Sequence, residues 1–105
     1  MDPNTVHQRH EEFHIIDVRD DEEFAAGHIA GARHIPLSKL AACLGEIGHD
    51  LSAVTVCRSG RRSGVAAAQL TKAGLTAHNM EGGMAKWAKK GLPFAASDGS
   101  PGRVA

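Results

Sequence analysis

The chain has no Tyr, one Trp and three Phe among 105 residues, so aromatic rings cannot build its interior, and Ala, Leu, Ile and Val must supply most of the core. Only two cysteines are present, Cys43 and Cys57, too few for a disulfide framework and without metal-ligand spacing, as expected of a reducing compartment. Twelve Lys plus Arg balance twelve Asp plus Glu, and no net charge draws the chain to nucleic acid or an anionic membrane. No apolar run approaches the length needed to span a bilayer, and the N-terminus lacks a basic region followed by a hydrophobic stretch. The expectation is a soluble, cytoplasmic protein of one domain, without internal repeats.

Against that neutral background one stretch stands out. Val54-Thr55-Val56-Cys57-Arg58-Ser59-Gly60-Arg61-Arg62-Ser63-Gly64 leads into an Ala-rich segment ending at Leu70. A β-branched run, a polar turn and a helical composition predict a strand, a tight loop and a helix, with a thiol at the turn. The first N–H groups of a helix have no intrahelical partners and carry the positive end of its dipole. Together with neighbouring Arg, such a place favours the thiolate. A free cysteine after a strand is most often a small buried hydrophobe. Three arginines, Gly60 and two serines around Cys57 argue instead for a nucleophile.

The rest of the chain reads as strands separated by helices, without hairpin signals, which implies a parallel sheet covered on both faces. Asp2-Pro3 starts a short helix reaching His10. Phe13 to Val18 is a buried strand with Asp17 and Arg19 at its C-terminal end, where open α/β sheets place their sites. These two are expected to brace the site as partners. Asp20 and Glu23 have capping-box spacing for a helix to Ala26, which Gly27 should end in the left-handed conformation. His28 to Ala32 is a turn, Arg33 to Ile35 a short strand, and Ser38 the expected cap of a helix carrying Leu40, Leu44 and Ile47. The helix after the Cys57 loop should present Val65, Ala66, Gln69 and Leu70 and end at Gly74. Leu75 to Met80 is the last strand, Glu81-Gly82-Gly83 a loop on the edge of Cys57, and Met84 to Lys90 a helix with Trp87 facing inward. From Ala95 onward the composition predicts a flexible tail.

Other chemistry-bearing residues carry less. His7, His10 and His14 lack a carboxylate or thiol to complete a metal set. His28 is better placed as a hydrogen-bonded structural residue than as an acid or base. Cys43, beside an apolar helix face, is a packed side chain before it is a resolving thiol.

Asp17-Val18-Arg19, Glu23-Phe24, Gly27-His28-Ile29, Gly31-Ala32, Ile35-Pro36-Leu37, Cys57-Arg58-Ser59-Gly60 with Arg62-Ser63, and Glu81-Gly82-Gly83 with Trp87 occur in this order from about Phe13 to Phe94. Together they resemble a single-domain rhodanese, a sulfurtransferase. The resemblance implies an α/β fold of four to five parallel strands with helices on both faces, over residues 1–94. The strand with which rhodaneses begin is short or absent here, and 95–105 form the tail. Cysteine phosphatases place an Arg six positions after the nucleophile, which here is Ser63, whereas Arg62 closes a shorter loop.

The expected reaction is transfer of a sulfane sulfur from an anionic donor such as thiosulfate to a thiol or cyanide through a Cys57 persulfide, without cofactor or metal. Arg58, Ser59, Gly60, Arg61, Arg62 and Ser63 would bind the substrate, with Asp17 and Arg19 as structural support. The alternatives are a persulfide carrier serving a partner protein and a thiol redox or arsenate reductase resolved by Cys43.

Overall fold

The computed structural model describes all residues, 1–105. Four strands, β1 (Phe13–Asp17), β2 (Arg33–His34), β3 (Ser52–Val56) and β4 (Ala77–Asn79), form one parallel sheet in the order β2-β1-β3-β4. Five helices accompany them: α1 (Pro3–Gln8), α2 (Asp21–Ala26), α3 (Leu37–Cys43), α4 (Arg61–Lys72) and α5 (Gly83–Lys89). β1 and β3 lie side by side, with Asp17 opposite Val56 and Ile15 opposite Val54. Both run as near-continuous apolar segments because helices cover both faces.

Alternation along the strands sorts the interior into two cores. Ile16, Val18, Ala53 and Cys57 face α3 and α4, where Leu40, Ala66 and Leu70 meet them. Phe13, Ile15, Val54 and Val56 face the opposite way, against Val6 of α1 and Met84 and Trp87 of α5. Cys57, one residue beyond β3, thus continues the face that α4 covers.

Met1 adds backbone hydrogen bonds along the β4 edge of the sheet. The Met1 ammonium donates to the Asn79 carbonyl at 3.0 Å, and Glu81 N–H donates to the Met1 carbonyl at 2.9 Å. Asp2 caps α1 by accepting from Thr5 N–H at 3.0 Å, with Pro3 in the first turn.

Three local expectations are corrected. Ser38 lies inside α3 rather than capping it, because Leu37 N–H continues the β1 ladder to Val18 O and Pro36 takes the cap position. Val65 is 51% exposed, since α4 turns Ser63, Ala66, Ala67 and Leu70 to the sheet. Gly27 has an extended φ of 172°, not a left-handed one. What requires glycine there is space: a Cβ would come within 2.8 Å of the Arg103 backbone and the Phe94 ring.

The chain end expected as a flexible tail docks on that same spot. Ala95 exchanges hydrogen bonds with His28, while Ser97 and Arg103 donate N–H groups to the carbonyls of Ala25 and Ala26. The last carbonyls of a helix lack intrahelical donors, and the returning backbone supplies them at the end of α2.

Candidate active site

The carboxyl ends of β1, β3 and β4 converge around the loop from Cys57 to Gly60. Gly60 has φ 98°, a conformation glycine reaches without a Cβ penalty. It caps α4, and the turn brings its own N–H back to 3.0 Å from Cys57 Sγ. Ser63, buried in the first turn of α4, places Oγ 3.2 Å from the same sulfur.

α5 holds the loop from outside. Met84 N–H donates to the Cys57 carbonyl at 2.8 Å and Ala85 N–H to the Arg58 carbonyl at 2.9 Å. In a trans peptide the C=O and N–H point in opposite directions. A carbonyl of Arg58 turned out to α5 therefore turns the Ser59 N–H in, toward the sulfur. Gly83 makes this approach feasible: with φ 57° it packs so closely that a Cβ would overlap the carbonyls of Cys57 and Arg58.

Burial of Cys57 works to raise its thiol pKa. Hydrogen bonds from the Ser63 hydroxyl and from the N–H groups of Ser63, Gly60 and Ser59 outweigh that, leaving it below its usual value. Cys57 has no exposed surface, although reactive thiols are ordinarily partly exposed. The strand alternation that puts it over α4 also seats it in the apolar core.

The three arginines separate. Arg62 pairs its two terminal nitrogens with the two carboxylate oxygens of Glu23 on α2, at 2.7 and 2.8 Å. Side-chain hydrogen bonding to Glu23 raises the Arg62 pKa, and the charge of Cys57 adds to it. Arg58 is exposed and donates to the Ala105 carbonyl at 3.1 Å, and Arg61 is exposed at the start of α4. Ser59 is exposed on the loop between them.

Asp17 and Arg19 form a fully buried pair in which Arg19 Nη1 is left without a partner. Arg19 Nε lies 2.9 Å from Asp17 Oδ1, and Nη2 lies 2.8 Å from Oδ2 and 2.7 Å from the Gly27 carbonyl. The pair ties the end of β1 to the end of α2.

Cys43 packs partly buried against the α3–α4 side of the core, and burial raises its pKa. His14 binds Asp50 at 2.8 Å, His28 stacks on Phe24 at 3.9 Å between centroids, and the His7 ring meets Trp87 edge-on.

Two residues of the site escaped the sequence reading. Glu23 was read only as a capping-box member, which it also is. Asn79 was not singled out, yet its Nδ2 donates to the Gly60 carbonyl at 2.9 Å and its Oδ1 accepts from Ser63 Oγ at 2.6 Å. Its position at the end of β4, beside β3, was the available signal.

A parallel α/β sheet with a cysteine in an N–H-lined loop at its carboxyl edge defines a class of thiol-centred α/β domain. The rhodanese-like domain model matches residues 2–90, and the chain belongs to that family. A protein of Thermoplasma volcanium described as rhodanese-related superposes with a TM-score of 0.87 at 27% identity, covering 90% of this chain and 95% of that one. The uncharacterized protein YqhL of Bacillus subtilis is 47% identical over 77 residues, 72% of this chain but only 61% of that protein. A sulfurtransferase of Allochromatium vinosum is 37% identical, over 81% of this chain and 80% of the relative. The thiosulfate sulfurtransferase GlpE of Pseudomonas putida is 36% identical, over 70% and 67% respectively. No helix is long and apolar enough to cross a membrane.

Proposed function

We propose that this chain moves a sulfane sulfur from an anionic donor such as thiosulfate to a thiol or cyanide acceptor through a persulfide on Cys57. The observation that carries this reading is the cluster of donors on one sulfur: Gly60 N–H at 3.0 Å and Ser63 Oγ at 3.2 Å. Such preorganised donors stabilise a negative sulfur wherever it forms in the cycle.

In the first step the Cys57 thiolate attacks the outer sulfur of thiosulfate. The donor's S–S bond breaks with its electron pair leaving on sulfite, and a new S–S bond forms on Cys57. The acceptor then attacks the outer persulfide sulfur, returning the electron pair to Cys57 as thiolate. Two displacements through a covalent intermediate give ping-pong kinetics. Neither step needs a cofactor or a metal.

Arg58 and Arg61, both exposed and without side-chain carboxylate partners, are the cations that would meet an incoming anion. Arg62 is engaged with Glu23 and acts through its field on Cys57. Ser63 occupies the position where a cysteine phosphatase would carry its phosphate-gripping Arg. Its hydroxyl lies on the sulfur, which disfavours phosphate chemistry.

Because Sγ has no exposed surface, the rim has to shift before a donor reaches it. That closure favours a second reading, a persulfide carrier whose partner protein opens the loop. A relative, YrkF of Bacillus subtilis, 37% identical over 76% of this chain and 44% of its own, is named a putative sulfur carrier protein.

Incubation with thiosulfate followed by intact-mass measurement tests the proposal. A one-sulfur adduct on Cys57 that cyanide removes is the expected result, and its absence rules the transfer out. Adduct formation from a protein persulfide but not from thiosulfate selects the carrier reading.

A further inference from the structure

The Ser63 hydroxyl has a single proton and two acceptors in reach, Asn79 Oδ1 at 2.6 Å and Cys57 Sγ at 3.2 Å. It cannot serve both fully. A protonated Cys57 has an S–H that can turn to Ser63 Oγ, leaving the Ser63 proton to the nearer Asn79. Once Cys57 ionises, the sulfur is acceptor-only and needs that proton, and Asn79 Oδ1 loses its donor. Asn79 is in addition fixed by its own Nδ2, which donates to the Gly60 carbonyl at 2.9 Å.

We propose that Asn79 is a positioning residue for Cys57, holding the Ser63 hydroxyl proton in competition with the sulfur. Asn79 does not touch the sulfur and acts on it only through Ser63. The proposal rests on Cys57 being the reacting thiol.

The other charges around the sulfur stay in place when Asn79 changes. From α4 comes Arg62, held in its ion pair with Glu23 of α2. From β1 comes the buried Asp17–Arg19 ion pair, tied to the Gly27 carbonyl. From α5, Lys86 lies over Gly82, and on β4 the neighbouring His78 is exposed. α3 contributes the apolar Leu40 to this face.

The test is the pH dependence of Cys57 alkylation, resolved by peptide mass so that Cys43 serves as the internal control. Asn79→Ala is expected to lower the Cys57 inflection by about one unit, because the Ser63 proton then has one acceptor. In a Ser63→Ala background the same change should leave the inflection where it is, because Gly64 N–H still holds the Gly60 carbonyl and keeps the turn in place. An upward shift or none with Ser63 present, or an equal downward shift without it, overturns the proposal.

Should Asn79→Ala fail to fold, Asn79→Asp takes its place. A carboxylate holds the Ser63 proton more firmly and is expected to raise the inflection further with Ser63 present than in Ser63→Ala. Equal shifts in the two backgrounds overturn the assignment. Both measurements read the thiol and not sulfur transfer, so the expected shifts in a protein that takes no sulfur from thiosulfate would defeat only the functional reading.

Discussion

Glu23 and Arg62, 39 positions apart in the chain, meet as a two-pronged ion pair with contacts of 2.7 and 2.8 Å. The pair joins the first turn of α2 to the first turn of α4 and fastens the Cys57 loop to a helix far from it in sequence. Paired, parallel N–H···O bonds are the strong form of such contacts. With Glu23 mostly buried and Arg62 about one-third exposed, solvent screening holds its worth to about 1 kcal/mol.

The pair has a pH signature. Hydrogen bonding from Arg62 holds the Glu23 pKa below its usual value despite partial burial. A carboxylate depressed in the folded state contributes stability above its unfolded pKa, about 4.3, and that stability is lost as pH falls through the folded value. Glu23→Gln should therefore be less stable than the wild type at neutral pH by about 1 kcal/mol, with the gap closing under acid. Urea denaturation at neutral and at acid pH measures it. A gap that stays constant across that range would show that the charge of Glu23 is not what stabilises the loop.

Ser63 supplies the side-chain donor to Cys57 at 3.2 Å, and hydrogen bonds to charged groups contribute about 1.5–3 kcal/mol. Ser63→Ala is expected to raise the Cys57 inflection by about one to two units, with Gly60 and Ser59 still lowering it. At neutral pH the rate of sulfur uptake from thiosulfate should fall by about tenfold or more, and raising the pH should recover it. A loss that higher pH does not restore would place Ser63 in substrate contact instead of thiol activation.

Much of this was legible in the chain itself. The apolar run into Asp17, the β-branched run into Cys57 and the glycines at 60, 82 and 83 each carry a local physical demand that composition reveals. Glu23 was less legible because one residue does two things: its oxygens cap α2 and also grip Arg62, and only the first lies within reach of sequence spacing. Asn79 failed for a related reason, since its partners Gly60 and Ser63 come together only through strand register. The docking of 95–105 runs through backbone N–H groups, which any composition offers. Full burial of Cys57 follows from strand phase, whereas the surrounding charges suggested exposure.

The Asp17–Arg19 pair is buried to within 1% on both sides, and breaking such a pair leaves an uncompensated charge in the interior. Asp17→Ala should cost about 3–5 kcal/mol, enough to threaten folding of a small domain. Chemical denaturation measures the loss. A double replacement by apolar residues, Asp17→Leu with Arg19→Met, is expected to recover part of it, because what destabilises is the stranded guanidinium and not the missing attraction. A double variant no more stable than Asp17→Ala would show that removing the stranded guanidinium recovers nothing beyond what losing its tie to the Gly27 carbonyl costs.

Gly83 and Gly91 both have left-handed backbone, φ 57° and 72°, but only one of them bears on the thiol. A Cβ at Gly91 meets open space, so Gly91→Ala carries backbone strain alone, about 1–2 kcal/mol. A Cβ at Gly83 collides with the carbonyls of Cys57 and Arg58. Relieving that collision separates α5 from the loop and releases the two carbonyls that Met84 and Ala85 hold outward. The Ser59 N–H then no longer aims at the sulfur. Gly83→Ala should lose more stability than Gly91→Ala and also raise the Cys57 inflection, while Gly91→Ala leaves it unchanged. Denaturation curves paired with pH-resolved alkylation of the two variants separate the effects. If both variants titrate like the wild type, α5 does not hold the loop's donors in place.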